Sequence, residues 1–270
     1  MGINKFKPLW ESLEDPSTQP KRVRDIKEIQ YEDFKKKVYQ QDNDFVKSII
    51  NSLYAGDFYI LRNGIPKSFC EKVKQNTFAW GLKNPSEFYK MIEGIPDYHR
   101  IIDKSVTNKY KLNSNRHNYY FFPWNHDPLN LFTTLNDRWR MIKFLIGLKK
   151  DQYEKNTPND GVVDRIVITH YPRGTGELET HSDPYIIQRL TISLMMSKKG
   201  IDFESGGIFL LDKSNNKIDL EDKLNIGDIV IGYATIVHGV DIIDKGAPID
   251  WNKNIGRWWI GLNSTSSDVN

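Results

Sequence analysis

The sequence contains very little cysteine: Cys70 is the only one in 270 residues. A single thiol excludes any disulfide within the chain, and this is typical of proteins that work in a reducing compartment. We therefore expect a cytoplasmic location. Cys70 lies in a segment with helical character, residues 68–72, where a buried structural thiol is the expected role.

Long apolar runs and an excess of one charge are also missing. No stretch approaches the roughly 18 apolar residues that a membrane-spanning helix needs. Residues 1–30 are polar and rich in lysine, so we expect neither a secretory signal nor a membrane partner. The 38 basic and 35 acidic residues give a net charge of +3, and the basic residues are scattered, which argues against a nucleic-acid partner.

The chain is long enough, and aromatic enough, to bury a substantial core, with 7 Trp, 13 Tyr and 13 Phe. Residues 1–30 contain three prolines and many charges, and we expect them to form an irregular N-terminal arm. Residues 31–270 are expected to form a single domain. Its first part, 31–160, should hold the helices and the first strands, and 161–270 should form the strand-rich core that carries the site.

The spacing of apolar residues predicts helices over 31–54, 66–81 and 137–150, and strands over 57–62 and 117–122. Six more short strands, bounded by Gly, Asp and Asn turns, are predicted after residue 161. They cover residues 165–171, 190–197, 206–211, 228–234, 238–244 and 257–263. About eight strands of this kind favour a double-stranded β-helix, the jelly-roll architecture, so the expected fold is mainly β with helices in front of the core.

Three residues in this core have the composition of a metal site. His181 and Asp183 are two positions apart, so on an extended chain their side chains point to the same side. His238 follows an apolar run, residues 228–237, that a strand can form and that can carry the imidazole to the other two. Two imidazoles and one carboxylate are the ligand set of a mononuclear non-haem Fe(II) site, which leaves one face of the metal open.

The order of these elements resembles the Fe(II)/2-oxoglutarate-dependent dioxygenases, particularly their prolyl-hydroxylase-like and phytanoyl-hydroxylase-like branches. The resemblance covers residues 165–263, the C-terminal third to two-fifths of the chain. It rests on seven elements in a fixed order, of which the His-x-Asp pair alone is weak. They are a strand ending in Tyr171, Gly174, His181-Ser182-Asp183, the strand 189–194, the Gly206-Gly207 pair, Gly227-Asp228 before an apolar strand, and His238-Gly239-Val240 followed by Arg257.

The resemblance implies a set of ligands and residue roles. Fe(II), 2-oxoglutarate and O2 would be used, with His181, Asp183 and His238 on the metal. Arg257 would hold the distal carboxylate of 2-oxoglutarate, because a guanidinium facing the interior needs an anionic partner. The interval between His238 and Arg257 is longer than in most family members, which we attribute to an insertion at residues 245–253.

Further residues are weaker candidates for contacting the co-substrate. Arg189 is the alternative to Arg257, although it could instead touch substrate or only brace the core. Tyr171 and Thr191 are expected near the co-substrate, and a packing role for Tyr171 is about as compatible with the sequence.

The function implied by the resemblance is hydroxylation of an unactivated C–H bond of a small molecule, amino acid or natural-product-like, with release of succinate and CO2. Halogenating relatives have a small residue in place of the carboxylate, so Asp183 argues for hydroxylation or a related oxidation. The alternatives are a hydroxylase acting on a protein or peptide and a non-catalytic jelly-roll binding module. A cupin-type metalloprotein that does not use 2-oxoglutarate is a further alternative.

Overall fold

The computed structural model describes residues 4–106, 112–185 and 187–267. Within these residues the chain forms five α-helices and twelve β-strands. The helices are α1 (Phe6–Leu13), α2 (Tyr31–Gln40), α3 (Asn43–Tyr54), α4 (Lys67–Lys83) and α5 (Leu131–Leu145). The strands are β1 (Asp25–Gln30), β2 (Asp57–Arg62), β3 (Tyr98–Ile102), β4 (Ser114–Phe121), β5 (Val162–Pro172), β6 (Glu177–His181), β7 (Leu190–Met195), β8 (Gly207–Leu211), β9 (Lys217–Asp219), β10 (Ile229–Tyr233), β11 (His238–Asp241) and β12 (Gly256–Ser266).

The last eight strands form two antiparallel sheets that face each other, and consecutive strands switch from one sheet to the other except β8 and β9, which pair within the same sheet. The large sheet has the order β10-β7-β12-β5, and the small sheet has the order β6-β11-β8-β9. β4 joins them, because it pairs with β5 along one part and with β6 at its beginning. Alternation of consecutive strands between two sheets is the double-stranded β-helix, so the predicted jelly-roll fold, mainly β with flanking helices, is confirmed.

The eight core strands are not quite the eight that the sequence predicts. The predicted strands at 57–62 and 117–122 exist as β2 and β4, but they extend the large sheet at its two sides. β6 and β9 complete the core instead. Both escape prediction because β6 is short and polar, and β9 has only three residues.

The helices cover the outer face of the large sheet. Side chains that point outward from β12, such as Trp258 and Ile260, belong to one buried cluster with apolar residues of the helices, such as Trp139 and Phe34. Cys70 of α4 is part of this cluster and is fully buried, as its sequence context predicts. No helix in the described part of the chain is long and apolar enough to cross a membrane.

The expectation of an irregular arm over residues 1–30 is wrong in two places. Residues 6–13 form α1, whose Phe6 and Trp10 side chains are fully buried, and residues 25–30 form β1, which pairs in parallel with β2. The Trp10 indole Nε1 donates a hydrogen bond of 2.9 Å to the Leu145 carbonyl at the end of α5. Prolines and charges concealed this helix because only one of its faces is apolar.

Two predicted helices also differ in extent. The predicted helix 31–54 is divided into α2 and α3 at Gln41, which has a left-handed backbone with φ of 50°. Asp42 then caps α3 by accepting hydrogen bonds from two backbone N–H groups of its first turn. The helix predicted over 137–150 begins earlier, at Leu131, because the Asp127 carboxylate accepts from the first two backbone N–H groups of α5.

Candidate metal centre and its cavity

The three predicted metal ligands come together between the two sheets. His181 ends β6 and His238 begins β11, and these residues lie directly opposite each other in the antiparallel pair. Asp183 lies two residues after His181, and its backbone N–H donates a hydrogen bond to the Ala234 carbonyl at 3.0 Å. The potential ligand atoms of the three residues all lie within 4.8 Å of one another.

Each imidazole is oriented by a carbonyl two residues earlier in the chain. His181 Nδ1 lies 2.9 Å from the Glu179 carbonyl oxygen, and His238 Nδ1 lies 3.0 Å from that of Ile236. A carbonyl oxygen only accepts, so Nδ1 carries the proton in both rings. Nε2 of each ring therefore keeps its lone pair and faces the Asp183 carboxylate, at 3.5 Å from His181 and 3.9 Å from His238.

The electrostatics of Asp183 and His238 favour the protonation states that bind metals. Burial acts to raise the pKa of the Asp183 carboxyl, but the neighbouring His181, His238 and Arg116 side chains outweigh it and lower this pKa. Burial lowers the pKa of the His238 imidazole, and the Asp183 charge opposes this only in part. An ionised carboxylate beside two imidazoles that each present an Nε2 lone pair is a donor set that fits a divalent metal of the Fe(II) type.

A cavity of about 380 Å³ opens beside these ligands and is lined by both sheets. Its apolar wall includes Phe58, Val167, Ile192 and Trp259. Its charged lining consists of Arg116, Arg165, Arg257 and the Asp183 carboxylate. The cavity is therefore positively charged before any metal is added.

Arg257 begins β12 and faces this cavity together with Trp259, while Trp258 and Ile260 lie in the core on the other side, as strand alternation predicts. Its side chain is only 2% exposed, and its Nε donates a hydrogen bond of 2.6 Å to Oε2 of Glu221. Glu221 lies in a short turn after β9. The sequence did not predict this contact, because nothing near residue 221 indicates that its carboxylate would pair with the Arg257 guanidinium.

Tyr171 lies opposite Arg257 in the pairing of β5 with β12, and the guanidinium carbon is 5.7 Å from the centre of its ring. The Tyr171 side chain is fully buried, yet its hydroxyl has no hydrogen-bond partner among the described residues. A buried polar atom without a partner is costly. A bound anion at this end of the cavity would supply an acceptor for the hydroxyl.

The two remaining candidates have different positions. Thr191 of β7 lines the cavity, with its hydroxyl 3.4 Å from the Gly232 carbonyl. Arg189 lies outside the cavity lining. Its guanidinium binds both carboxylate oxygens of Glu14 at 2.8 Å and also donates to the Ile146 carbonyl. It thus ties the segment after α1 to the core, which was one of the roles considered for it, and it is not placed to hold a co-substrate.

Two arginines of the cavity were missed by the sequence analysis. Arg165 lies on β5 on the same face as Thr169 and Tyr171, so strand alternation could have found it. Arg116 lies just before the predicted strand 117–122 and therefore outside the pattern. Nε of each side chain is buried and has no hydrogen-bond partner among the described residues.

Comparison with known proteins gives the fold. No protein-family model and no curated protein matches the sequence. Among solved structures, a full-length protein from Neurospora crassa, in complex with alpha-KG and 5-formyluracil, matches 92% of this chain and 85% of its own, with 15% identity and a TM-score of 0.51. The chain shares the fold of this Neurospora crassa protein. A prolyl-4-hydroxylase from Pseudomonas putida matches 80% of this chain and 96% of its own, with 10% identity and a TM-score of 0.49.

Proposed function

We propose that the chain is an Fe(II)/2-oxoglutarate-dependent oxygenase that hydroxylates an unactivated C–H bond of a small molecule and releases succinate and CO2. The observation that carries the proposal is one cavity that holds both a three-residue metal-ligand set and, at Arg257 and Tyr171, an end built to receive an anion. A catalytically inactive module would have no need to keep both features.

The chain's own residues have distinct parts in this proposal. His181, Asp183 and His238 would hold Fe(II), which with 2-oxoglutarate and O2 supplies the oxidising chemistry. Arg257 and Tyr171 would hold the distal carboxylate of 2-oxoglutarate, with Thr191 lining the same pocket. The sheets and the helices behind them fix these groups rigidly, so that the target carbon is positioned and water is excluded.

The small-molecule substrate is favoured by the shape of the site. The cavity is enclosed between two sheets, and the Neurospora crassa protein with the same fold is in complex with alpha-KG and 5-formyluracil. We place the oxygenase domain at residues 31–270, with its metal-binding core at 161–270. The single buried thiol supports our proposal of a cytoplasmic location.

Anaerobic visible absorption of the purified protein tests the proposal. A weak charge-transfer band should develop only when both Fe(II) and 2-oxoglutarate are present. His181→Ala should lose the band with the metal, and Arg257→Gln should require a much higher 2-oxoglutarate concentration. His126→Ala, a histidine exposed outside the cavity, serves as the control. Iron binding without a band would refute the use of 2-oxoglutarate, and a lack of iron binding would refute the metal site.

A further inference from the structure

The cavity contains a second cationic end that the co-substrate cannot occupy. Arg257 pairs with Tyr171 across β12 and β5, whereas Arg165 pairs with Asn263. Arg165 lies six positions before Tyr171 on β5, which corresponds to roughly 20 Å between their backbones at about 3.3 Å per residue. A five-carbon dicarboxylate bound at Arg257 therefore does not also contact Arg165.

A series of hydrogen bonds and strand pairs connects Asp183 to the part of the sheet around Arg165. The Asp183 backbone N–H donates a hydrogen bond to the Ala234 carbonyl. Ala234 follows Tyr233, which pairs with Leu190 of β7. The Gln188 side chain then connects this point to β12, because its amide donates to the Leu190 and Leu262 carbonyls. Leu262 immediately precedes Asn263, the partner of Arg165, so a molecule placed at the metal can extend toward Arg165.

The groups around Arg165 form a polar recognition site. Its guanidinium carbon lies 5.2 Å from the centre of the Tyr120 ring. The Tyr120 hydroxyl oxygen accepts from the Asn118 amide at 2.9 Å, and that bond leaves the hydroxyl proton available to a ligand. Thr169 donates to the other end of the same amide at 3.0 Å, which fixes its orientation. Arg165 and Tyr120 together therefore offer hydrogen-bond donors and a positive charge.

Charge balance leaves one positive charge without a counterion. Arg257 is neutralised by Glu221, and the doubly charged co-substrate matches the doubly charged metal. Arg116 and Arg165 then face a single carboxylate, Asp183, and neither forms an ion pair with any described residue. Both arginines are half-buried, and their Nε atoms are buried without a hydrogen-bond partner among the described residues, so an anion in the cavity would be favourable; a planar carboxylate is the group that the guanidinium donors fit best.

We propose, on the basis of the function proposed above, that the primary substrate carries a carboxylate, and that Arg165 binds it with the help of the Tyr120 hydroxyl. Arg116, close enough to Asp183 to influence its charge, adds positive potential along the path. The substrate would lie with its anionic group at Arg165 and its apolar part along Val167 and Trp259. The reacting carbon would then lie between the anionic group and the metal.

Ligand binding in the absence of turnover tests this assignment. The protein is loaded with Zn(II) and saturating 2-oxoglutarate, and its melting temperature and dissociation constants are measured with matched pairs of ligands. The probes are arylacetic and alkanoic acids, each compared with its own primary amide. Acids should bind and raise the melting temperature, whereas their amides should bind at least tenfold more weakly. Arg165→Gln should remove the preference for acids, and Arg165→Lys should restore part of it.

The controls separate this inference from the proposed function. Arg22→Gln removes the same charge from a partly exposed arginine outside the cavity and should not change the preference for acids. Stabilisation of the wild-type protein by 2-oxoglutarate alone tests the co-substrate site, and Arg165→Gln should retain it. Equal behaviour of acids and amides, including no binding by either, overturns the inference. A preference for acids that survives Arg165→Gln overturns the assignment to this residue.

Discussion

Nε of Arg257 lies 2.6 Å from Oε2 of Glu221, and both side chains are withdrawn from solvent. The carboxylate is itself fixed, because Oε2 also accepts the backbone N–H of Ile208 at 2.9 Å. The guanidinium that would receive the co-substrate is thus held in place by a carboxylate from a separate turn. Glu221 acts as a positioning residue, and it also moderates the charge that the co-substrate meets.

Glu221→Gln should destabilise the ligand-free protein and increase its response to 2-oxoglutarate. Removing one partner of a buried ion pair leaves Arg257 uncompensated, which typically costs about 3–5 kcal/mol. The distal carboxylate of 2-oxoglutarate would supply the missing anion, so the Zn(II)-loaded variant should gain more in melting temperature from 2-oxoglutarate than the wild type. Glu154→Gln, which weakens the pair with Arg140 outside the cavity, is the matched control. An equal gain in both proteins would contradict this role for Glu221.

Trp10→Ala should destabilise the protein even though Trp10 lies in the first turns of the described chain. In the wild type the Trp10 indole is fully buried and donates a hydrogen bond to the Leu145 carbonyl at the end of α5. The substitution removes both the packing and this hydrogen bond. Removing a buried tryptophan leaves a cavity and typically costs about 3–5 kcal/mol. The free energy of unfolding in urea measures this cost. Phe88→Ala, at a side chain that is 59% exposed, should have little effect, and an equally small effect of Trp10→Ala would show that α1 is dispensable.

Asp97 should make stability depend on pH in the acidic range. Burial raises the pKa of Asp97 to about 6, against hydrogen bonds from Asn125 and Phe122 that lower it. The native state therefore holds this proton more tightly than the unfolded chain. The resulting contribution to the free energy of unfolding is fully present below about pH 4 and is lost as the pH rises through about 6. This loss amounts to at most about 3 kcal/mol by linkage.

Asp97→Asn should abolish that part of the pH dependence, because the amide oxygen can still accept both hydrogen bonds and carries no charge. Unfolding free energies of the variant and the wild type, measured at several pH values from 4 to 8, should diverge as the pH rises, with the variant more stable near neutrality. Asp33→Asn, at an exposed position in α2, is the control. Parallel curves for the wild type and Asp97→Asn would refute the shifted pKa.

Cys70 should resist alkylation in the folded protein. Burial raises the pKa of its thiol to about 12, and Sγ lies 3.8 Å from the Met195 carbonyl oxygen in the core. Since the thiolate is the reactive form, labelling by iodoacetamide at pH 8 should occur only as fast as the protein unfolds. A cysteine introduced by Ser12→Cys at an exposed position should react promptly in the same sample. Rapid labelling of Cys70 itself would show that α4 opens readily.

The sequence alone determined the metal-ligand candidates and most of the strands. His181 and Asp183 were recognisable because alternation along an extended chain is a local property, and His238 because it follows a long apolar run. The same rule correctly placed Arg257 and Trp259 on the inner face of β12. The predictions failed where local signals were weak, as in the short strands β6 and β9 and the concealed helix α1.

Only the tertiary structure decided which charged groups meet. Arg189 and Arg257 both stand at the beginning of a strand in the sequence, yet one binds Glu14 of the N-terminal segment and the other binds Glu221 of the short turn after β9. These carboxylates are 175 and 36 residues from their arginines, and no local pattern encodes such a choice. Long-range ion pairs depend on how sheets and helices pack, and this packing also leaves Arg165 facing the cavity without an anion.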